Sequence, residues 1–306
     1  MFTYSIIIPH KDCPDLLSRC LDSIPSRDDI EVIVVDDNSN DVNSIKQIES
    51  EDKHSKKHFI YTTEKKGAGF ARNRGLEVAS GKWLVFADAD DFFTKGAFGI
   101  FDKYANSNYD IIYFKHTSVF SDTLKPCQRY NIRDGLIDAC IANKTDDCEK
   151  RLRYKDVVPW SKMFRRSISV ENGLLFDEVP ASNDVMFVVN NAYHARQIFA
   201  SNEIVYTLTY RDGSITRVAN KENNMSRYRV SLRYNQFVKK VGHPEMRIRV
   251  FSHVMLALRI FGIKEAIRYI GVAHQNHQWL FTGGIPGVNE LFGKMSFKKK
   301  TNTFKG

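Results

Sequence analysis

V-F-A-D-A-D-D-F, residues 85–92, places three carboxylates within four positions, directly after an apolar run. Aspartates are common in turns and at helix N-caps, so the cluster has an ordinary reading. It also has a chemical one. Carboxylates gathered at the C-terminal end of a strand hold a divalent cation, often one that carries a phosphorylated ligand. The surrounding pattern separates the two.

Tyr4–Ile8 is a short apolar run closed by Pro9. Pro14 opens a stretch in which Leu16, Leu17, Cys20, Leu21 and Ile24 share one helical face. Glu31–Val35 reads as a second strand and ends in Asp36-Asp37-Asn38-Ser39. A polar helix to about Glu51 and a strand near Phe59–Tyr61 follow. G-A-G-F-A-R-N-R-G (67–75) then leads a helix to about Ala79, and the strand Trp83–Ala87 delivers the three aspartates. Short β-branched runs separated by helices predict an α/β fold, a mostly parallel central sheet with helices on both faces. Ligands bind such sheets outside the carboxyl ends of the strands. Asp36/Asp37 and Asp88/Asp90/Asp91 both fall at that edge, which favours a ligand site over turn chemistry alone.

Composition narrows the class. A chain of 306 residues with 42% hydrophobic content suits one large globular domain or two. Its five cysteines include no C-x-x-C pair, which predicts reduced thiols and a cytosolic setting. The N-terminus enters a strand-like run at once, so no signal peptide is expected. No apolar run approaches the roughly 20 residues that span a bilayer. A dinucleotide-binding chain would carry G-x-G-x-x-G after its first strand, where this one has P-H-K-D-C-P. The only near match, Gly67-Ala-Gly69-Phe-Ala-Arg72, follows the third strand and has arginine at the last glycine position. There is no P-loop either.

S-I-I-I-P, V-V-D-D-N-S, G-A-G-F-A-R-N-R-G and F-A-D-A-D-D, in that order over residues 5–91, resemble family 2 glycosyltransferases of the GT-A fold. W-S-K-M-F-R-R (160–166), F-D-E-V-P-A-S-N-D (176–184) and Y-R-D-G-S (210–214) resemble the family's acceptor-side motifs. The resemblance implies a GT-A domain over 1–215, with a nucleotide-sugar half (1–91) and an acceptor half (92–215). It also implies an inverting, metal-dependent transfer of sugar from a UDP-sugar to a glycan or lipid-linked acceptor in surface-polysaccharide assembly.

Residue roles follow from the same resemblance. Asp37 accepts a hydrogen bond from uracil N3–H, with Pro9 in the pocket wall. Arg72 meets the diphosphate, aided by free N–H groups at its helix terminus. Asp90 binds Mn²⁺ or Mg²⁺ in a DXD motif, and Asp88 meets the ribose or the metal through water. Asp91 orients a neighbouring group or caps the next helix. The catalytic base is Asp184, where the family's Glu-Asp pair reads Asn183-Asp184; Asp177 or Glu178 is the substitute. Trp160 is either a stacking wall of the acceptor site or part of the core. Gly67 and Gly69 allow close backbone approach or simply a flexible turn. Tyr210, Arg211 and Ser214 close over the diphosphate. A sugar-1-phosphate nucleotidyltransferase is the competing enzyme class, and it lacks its Gly-rich basic loop here.

Charge divides the chain. From Arg217 onward there are 17 Lys+Arg against four Glu, a net of +13, which leaves −4 for the first 216 residues. Residues 216–306 are therefore read as a separate basic helical region, with helices over Asn220–Lys240, Glu245–Phe261 and Lys264–Phe281 and a disordered tail. This region suits an anionic membrane surface at the inner face of the cell membrane, or packing against the catalytic domain or a second copy. A purely anionic-surface-binding protein is the third functional class. No motif for nucleic acid accompanies the charge. His274 and His277 have ligand-like spacing without further partners.

Overall fold

The first strand, β1 (Tyr4–His10), is buried along its whole length. Its side chains alternate between the two faces of the sheet. Ile6 and Ile8 pack with Leu17, Cys20 and Leu21 of α1 (Pro14–Asp22), and Ile7 points the other way. The computed structural model describes residues 2–127, 131–211, 220–278 and 280. Backbone contacts divide the chain into two compact units, Met1–Val218 and Ala219–Gly306.

In the first unit the chain continues through β2 (Ile30–Asp36), α2 (Val42–Glu51), β3 (Lys57–Tyr61), α3 (Ala68–Val78) and β4 (Trp83–Phe86). Then come β5 (Phe92–Phe93), α4 (Ala97–Asp102), β6 (Ile111–Phe120), α5 (Asn131–Ala142), α6 (Asp146–Lys155) and β7 (Lys162–Arg165). The helices α7 (Arg166–Glu171) and α8 (Val185–His194) precede the long strand β8 (Ile198–Tyr210). The sheet order is β3-β2-β1-β4-β7-β6-β8-β5. The strands β3, β2, β1 and β4 run parallel, as the β-branched runs predict. Beyond β4 the sheet is mixed, because β7 lies antiparallel between β4 and β6. The chain steps from β1 outward to β2 and β3, then returns to the other side of β1 with β4. That reversal opens a crevice at the carboxyl ends of these strands.

One helix fixes what faces the crevice. Before α3 stands Gly67, whose φ of +91° few other residues adopt. A Cβ on Gly69 would lie 2.0 Å from the Asp177 carbonyl oxygen, so glycine lets the 176–183 segment lie directly on the helix. Asn73 completes the clamp: its Nδ2 donates to the Phe176 carbonyl at 3.0 Å, and its Oδ1 accepts from the Phe176 N–H at 2.8 Å. Phe176 in turn packs on Phe86 of β4 and Phe187 of α8, at ring distances of 5.1 and 4.0 Å.

The second unit begins with α9 (Lys221–Lys240), capped by Asn220, which accepts from the N–H groups of Glu222 and Asn223. Expected as one helix, Glu245–Phe261 is instead a 3-10 turn at Pro244–Met246 followed by α10 (Phe251–Phe261). The reason is a side chain upstream. Asn235 accepts from the Ile248 N–H and donates to the Ile248 carbonyl, at 2.8 and 2.9 Å, which takes both groups away from a helix. Gly262, with φ of +88°, joins α10 to α11 (Ile263–Gln275). Tyr228 and Leu232 of α9 meet Val254, Ala257, Ala266, Tyr269 and Ala273 in a small core. Among the described residues no helix is long and apolar enough to cross a membrane. Phe281 and the basic tail lie outside the described residues.

The Asn73 clamp is testable. Asn73→Ala strips two buried backbone groups of their partners and should lower unfolding stability by about 2 kcal/mol. Urea denaturation measures this, and an unchanged midpoint would show that the 176–183 segment is held by other contacts.

Candidate active site

The carboxyl ends of β1, β2 and β4 deliver His10, Asp36 and the D-A-D-D turn to one edge, and their carboxylates are not equivalent. Asp36 accepts from Ser39 N–H at 3.0 Å and Ser39 Oγ at 2.5 Å, and it faces His10 Nδ1 at 2.8 Å. His10 Nε2 accepts from the Cys13 N–H. Asp36 is thus fully occupied in tying β2 to β1. Asp37 is also buried. Its two oxygens accept from the N–H groups of Lys66 and Gly67, both at 2.9 Å, and Lys11 Nζ lies 3.5 Å away. Pro9 sits inside β1, paired with Val35.

The D-A-D-D turn is pinned from two sides. The Asp90 carbonyl accepts from Arg19 at 2.8 Å and from Thr209 Oγ1 at 2.7 Å. Asp91 is buried and its carboxylate accepts from the Thr209 N–H at 2.7 Å, so it orients β8 against the turn. The Asp88 N–H donates to Tyr206 Oη at 2.9 Å. Asp88 and Asp90 remain half-buried at the edge.

Arg72 makes contacts within the chain that were not expected. It is 5% exposed and does not open onto the edge. One amino group donates to Asp88 Oδ1 at 2.5 Å, the other to Asn183 Oδ1 at 2.8 Å, and the guanidinium lies over the Phe176 ring. Arg72 is thus a strut between the D-A-D-D turn and the residue before Asp184. This also explains Asn183: an amide oxygen accepts from Arg72 as a carboxylate would, without adding a charge.

Asp184 occupies the N-cap position of α8 but makes no side-chain capping bond, so helix capping does not account for it. The residue is half-buried while its carboxyl group is enclosed by protein. Burial raises its pKa; Arg72 and Lys162 oppose this, and Asp88 adds to it. The bridge at Arg72 brings Asp88 of the donor-side turn and the Asn183-Asp184 pair to one place.

Trp160 belongs to the core rather than to an exposed wall. It is 5% exposed, stacked on Tyr206 at 5.6 Å and 8°, with Arg133 over the ring at 5.0 Å. The rest of W-S-K-M-F is interior as well. Lys162 is fully buried and donates to Asp156 Oδ1 at 2.8 Å and to the Val158 carbonyl at 2.5 Å. Burial outweighs the Asp156 charge and pushes its amine down to about 7, and Arg133 acts in the same direction. Arg133 bonds the other side of Asp156 Oδ1 at 2.9 Å. Sequence reasoning missed this Arg133–Asp156–Lys162 cluster, along with Arg19, Asn73 and Tyr206. Asn73 and Lys162 had a visible signal, standing inside the G-A-G-F-A-R-N-R-G and W-S-K-M-F-R-R motifs. Tyr210 ends β8 and Arg211 is exposed; Ser214 lies outside the described residues.

All five cysteines are free. Among the described residues no three His, Cys, Asp or Glu side chains cluster as a metal cage, at His274 and His277 or elsewhere.

Comparison with known proteins now bears on this edge. A family model described as "Glycosyl transferase family 2" matches residues 5–172. The GalNAc(5)-diNAcBac-PP-undecaprenol beta-1,3-glucosyltransferase of Campylobacter jejuni is 27% identical over 244 residues, covering 77% of this chain and 72% of that protein. A poly(ribitol-phosphate) beta-glucosyltransferase of Bacillus spizizenii is 28% identical over 225 residues; the match spans 70% of this chain but 33% of the relative. The crystal structure of S. aureus TarS 1–349 in complex with UDP-GlcNAc superposes with a TM-score of 0.71 at 18% identity, over 90% of this chain and 80% of that one. Mannosyltransferase PcManGT from Pyrobaculum calidifontis, in complex with GDP-Man and Mn²⁺, gives 0.54 at 14% identity, over 92% and 84%. The nucleotidyltransferase alternative finds no support in these matches. With the motifs, the sheet and the family match in agreement, the chain belongs to glycosyl transferase family 2 and is a glycosyltransferase of the GT-A fold.

Proposed function

We propose that the chain transfers a sugar from a UDP-sugar, with inversion, to a hydroxyl of a glycan or lipid-linked acceptor in surface-polysaccharide synthesis. The observation that carries this reading is the Arg72 bridge, which ties Asp88 of the D-A-D-D turn to Asn183, the residue before Asp184. The relatives' names, a glucosyltransferase acting on an undecaprenol-linked glycan and one acting on poly(ribitol-phosphate), support the acceptor class. The UDP-GlcNAc bound to TarS supports the donor class.

Inversion needs a base opposite the leaving group to take the proton from the acceptor hydroxyl. Asp184 suits that task. Its enclosure raises its proton affinity, while Arg72 keeps the carboxylate form accessible. Asp37 remains the candidate for reading the base. Both its oxygens already hold the Lys66–Gly67 turn, so it would read a uracil through a remaining lone pair, with Lys11 beside it.

The donor set fits a hard divalent cation. Asp90 offers carboxylate oxygens on a turn whose backbone is fixed by Arg19 and Thr209, while Arg72 holds one oxygen of Asp88. Mn²⁺ or Mg²⁺ held by Asp90 would neutralise charge on the departing diphosphate. Asp88 is then a water-mediated contact to that ion or a ribose contact.

Three outcomes test the reading. Calorimetric titration should show UDP binding that depends on Mn²⁺ and exceeds GDP and CMP, and Asp90→Asn should abolish the metal-dependent part. Undiminished metal-dependent binding in that variant would remove Asp90 from the metal site. Asp184→Asn should bind UDP normally and lose about a hundredfold or more of the transfer rate; near-normal turnover would place the base elsewhere.

The third outcome concerns pH. A base must be ionised, so transfer falls as pH drops through the pKa of Asp184, which burial raises from its ordinary value. Replacing Arg72 with methionine removes a charge that lowers this pKa. The acidic limb of the kcat profile should then move to higher pH, with UDP affinity little changed. An unmoved limb together with weakened UDP binding would return Arg72 to a direct contact with the diphosphate.

A further inference from the structure

We infer that the α10–α11 hairpin of the C-terminal unit is a docking face for an anionic lipid bilayer. The evidence is how two consecutive helices divide their apolar residues. On α11, Ala266, Tyr269 and Ala273 turn inward to the small core with Tyr228 and Leu232. Ile263, Ile267 and Ile270 stand at i, i+4 and i+7 on another face, with Ile263 62% and Ile267 60% exposed. The preceding helix repeats the pattern. Val254 and Ala257 are buried, while Met255, Leu256, Leu258 and Ile260 are exposed. Single exposed apolar side chains need no explanation, but seven on a packed helix pair do.

Charge selects the occupant. Residues 220–278 contain eleven Lys+Arg and three Glu. In the hairpin the exposed cations Arg259, Lys264 and Arg268 stand beside the apolar strip, with Lys264 following Ile263 and Arg268 following Ile267. The single acid, Glu265, lies 3.5 Å from Arg268 and 3.9 Å from Lys221. Aliphatic side chains flanked by cations are what a helix needs to lie in the boundary between headgroups and acyl chains. At 11 and 13 residues the two helices can lie on a bilayer and cannot cross one. A second copy of the chain fits less well. A two-fold pairing brings the same patch against itself, so Arg259, Lys264 and Arg268 would meet cations. This inference is independent of which sugar is transferred.

The test is sedimentation of the full chain with vesicles of phosphatidylglycerol mixed into phosphatidylcholine, beside vesicles of phosphatidylcholine alone. The chain should sediment with the anionic vesicles, most strongly at low salt. The double variant Ile263→Asp/Ile267→Asp should lose this while keeping its circular dichroism and its UDP binding, since both side chains face solvent. The triple variant Arg259→Gln/Lys264→Gln/Arg268→Gln should bind anionic vesicles roughly fivefold more weakly for each charge removed. Absence of vesicle binding by the parent chain would overturn the inference. So would binding untouched by the isoleucine changes, which would locate the attraction in other basic residues. A parent dimer by light scattering that Ile263→Asp/Ile267→Asp makes monomeric, without vesicle binding, would identify the face as a contact between copies.

Discussion

A buried guanidinium is costly unless every direction it faces is answered. Arg72 is answered by Asp88 on one side, Asn183 on the other and the Phe176 ring against its plane, and of its own atoms only Nε is buried without a hydrogen-bond partner among the described residues. Much of the site's architecture serves to keep those three in place. Gly67 starts the helix that carries Arg72, Gly69 removes the Cβ that would push Asp177 away, and Asn73 clamps the backbone of Phe176. Tyr206 and Thr209 hold the D-A-D-D turn from β8. The distance between the two halves of the site is therefore set by a rigid helix and a charged side chain, not by a loop.

The aspartates at the strand edge divide two kinds of work. Asp36, Asp37 and Asp91 accept backbone N–H groups and hold strand ends, turn and helix start together. That is turn chemistry in the ordinary sense, and for Asp37 it stands beside the proposed contact with the base. Asp88 is tied to Arg72, and Asp90 stands half-buried on a turn held through its own carbonyl. Within one short run the structural reading accounts for Asp91, and the chemical reading is the one proposed for Asp88 and Asp90. A site residue needs neighbours that hold it still, and here the same residue type is proposed for both tasks.

The parallel half of the sheet was legible because β1, β2 and β4 are short, nearly continuous apolar runs, buried at every position, and the edge followed from where those runs end. Arg72 was expected to meet a diphosphate, and its bond within the chain was not legible, since its partner Asn183 lies 111 positions further on. Trp160 shows the same limit. An aromatic residue before a strand reads alike whether it faces a sugar or lies between Tyr206 and Arg133. The helix break at 247–250 was hidden for a related reason, because its cause is an amide thirteen residues upstream rather than a glycine or proline at the break. Local propensity carries the elements, and long-range hydrogen bonds decide how they are used.

The order of the sheet has a consequence for life in a crowded cell. One outer margin is β5, a strand of only two residues, and the other is β3, five residues long and carrying Lys57 and His58. The β3 margin, short and charged, offers no long, flat row of free N–H and C=O groups on which another chain could build. Copies crowded together therefore find little at that margin by which to join sheet edge to sheet edge.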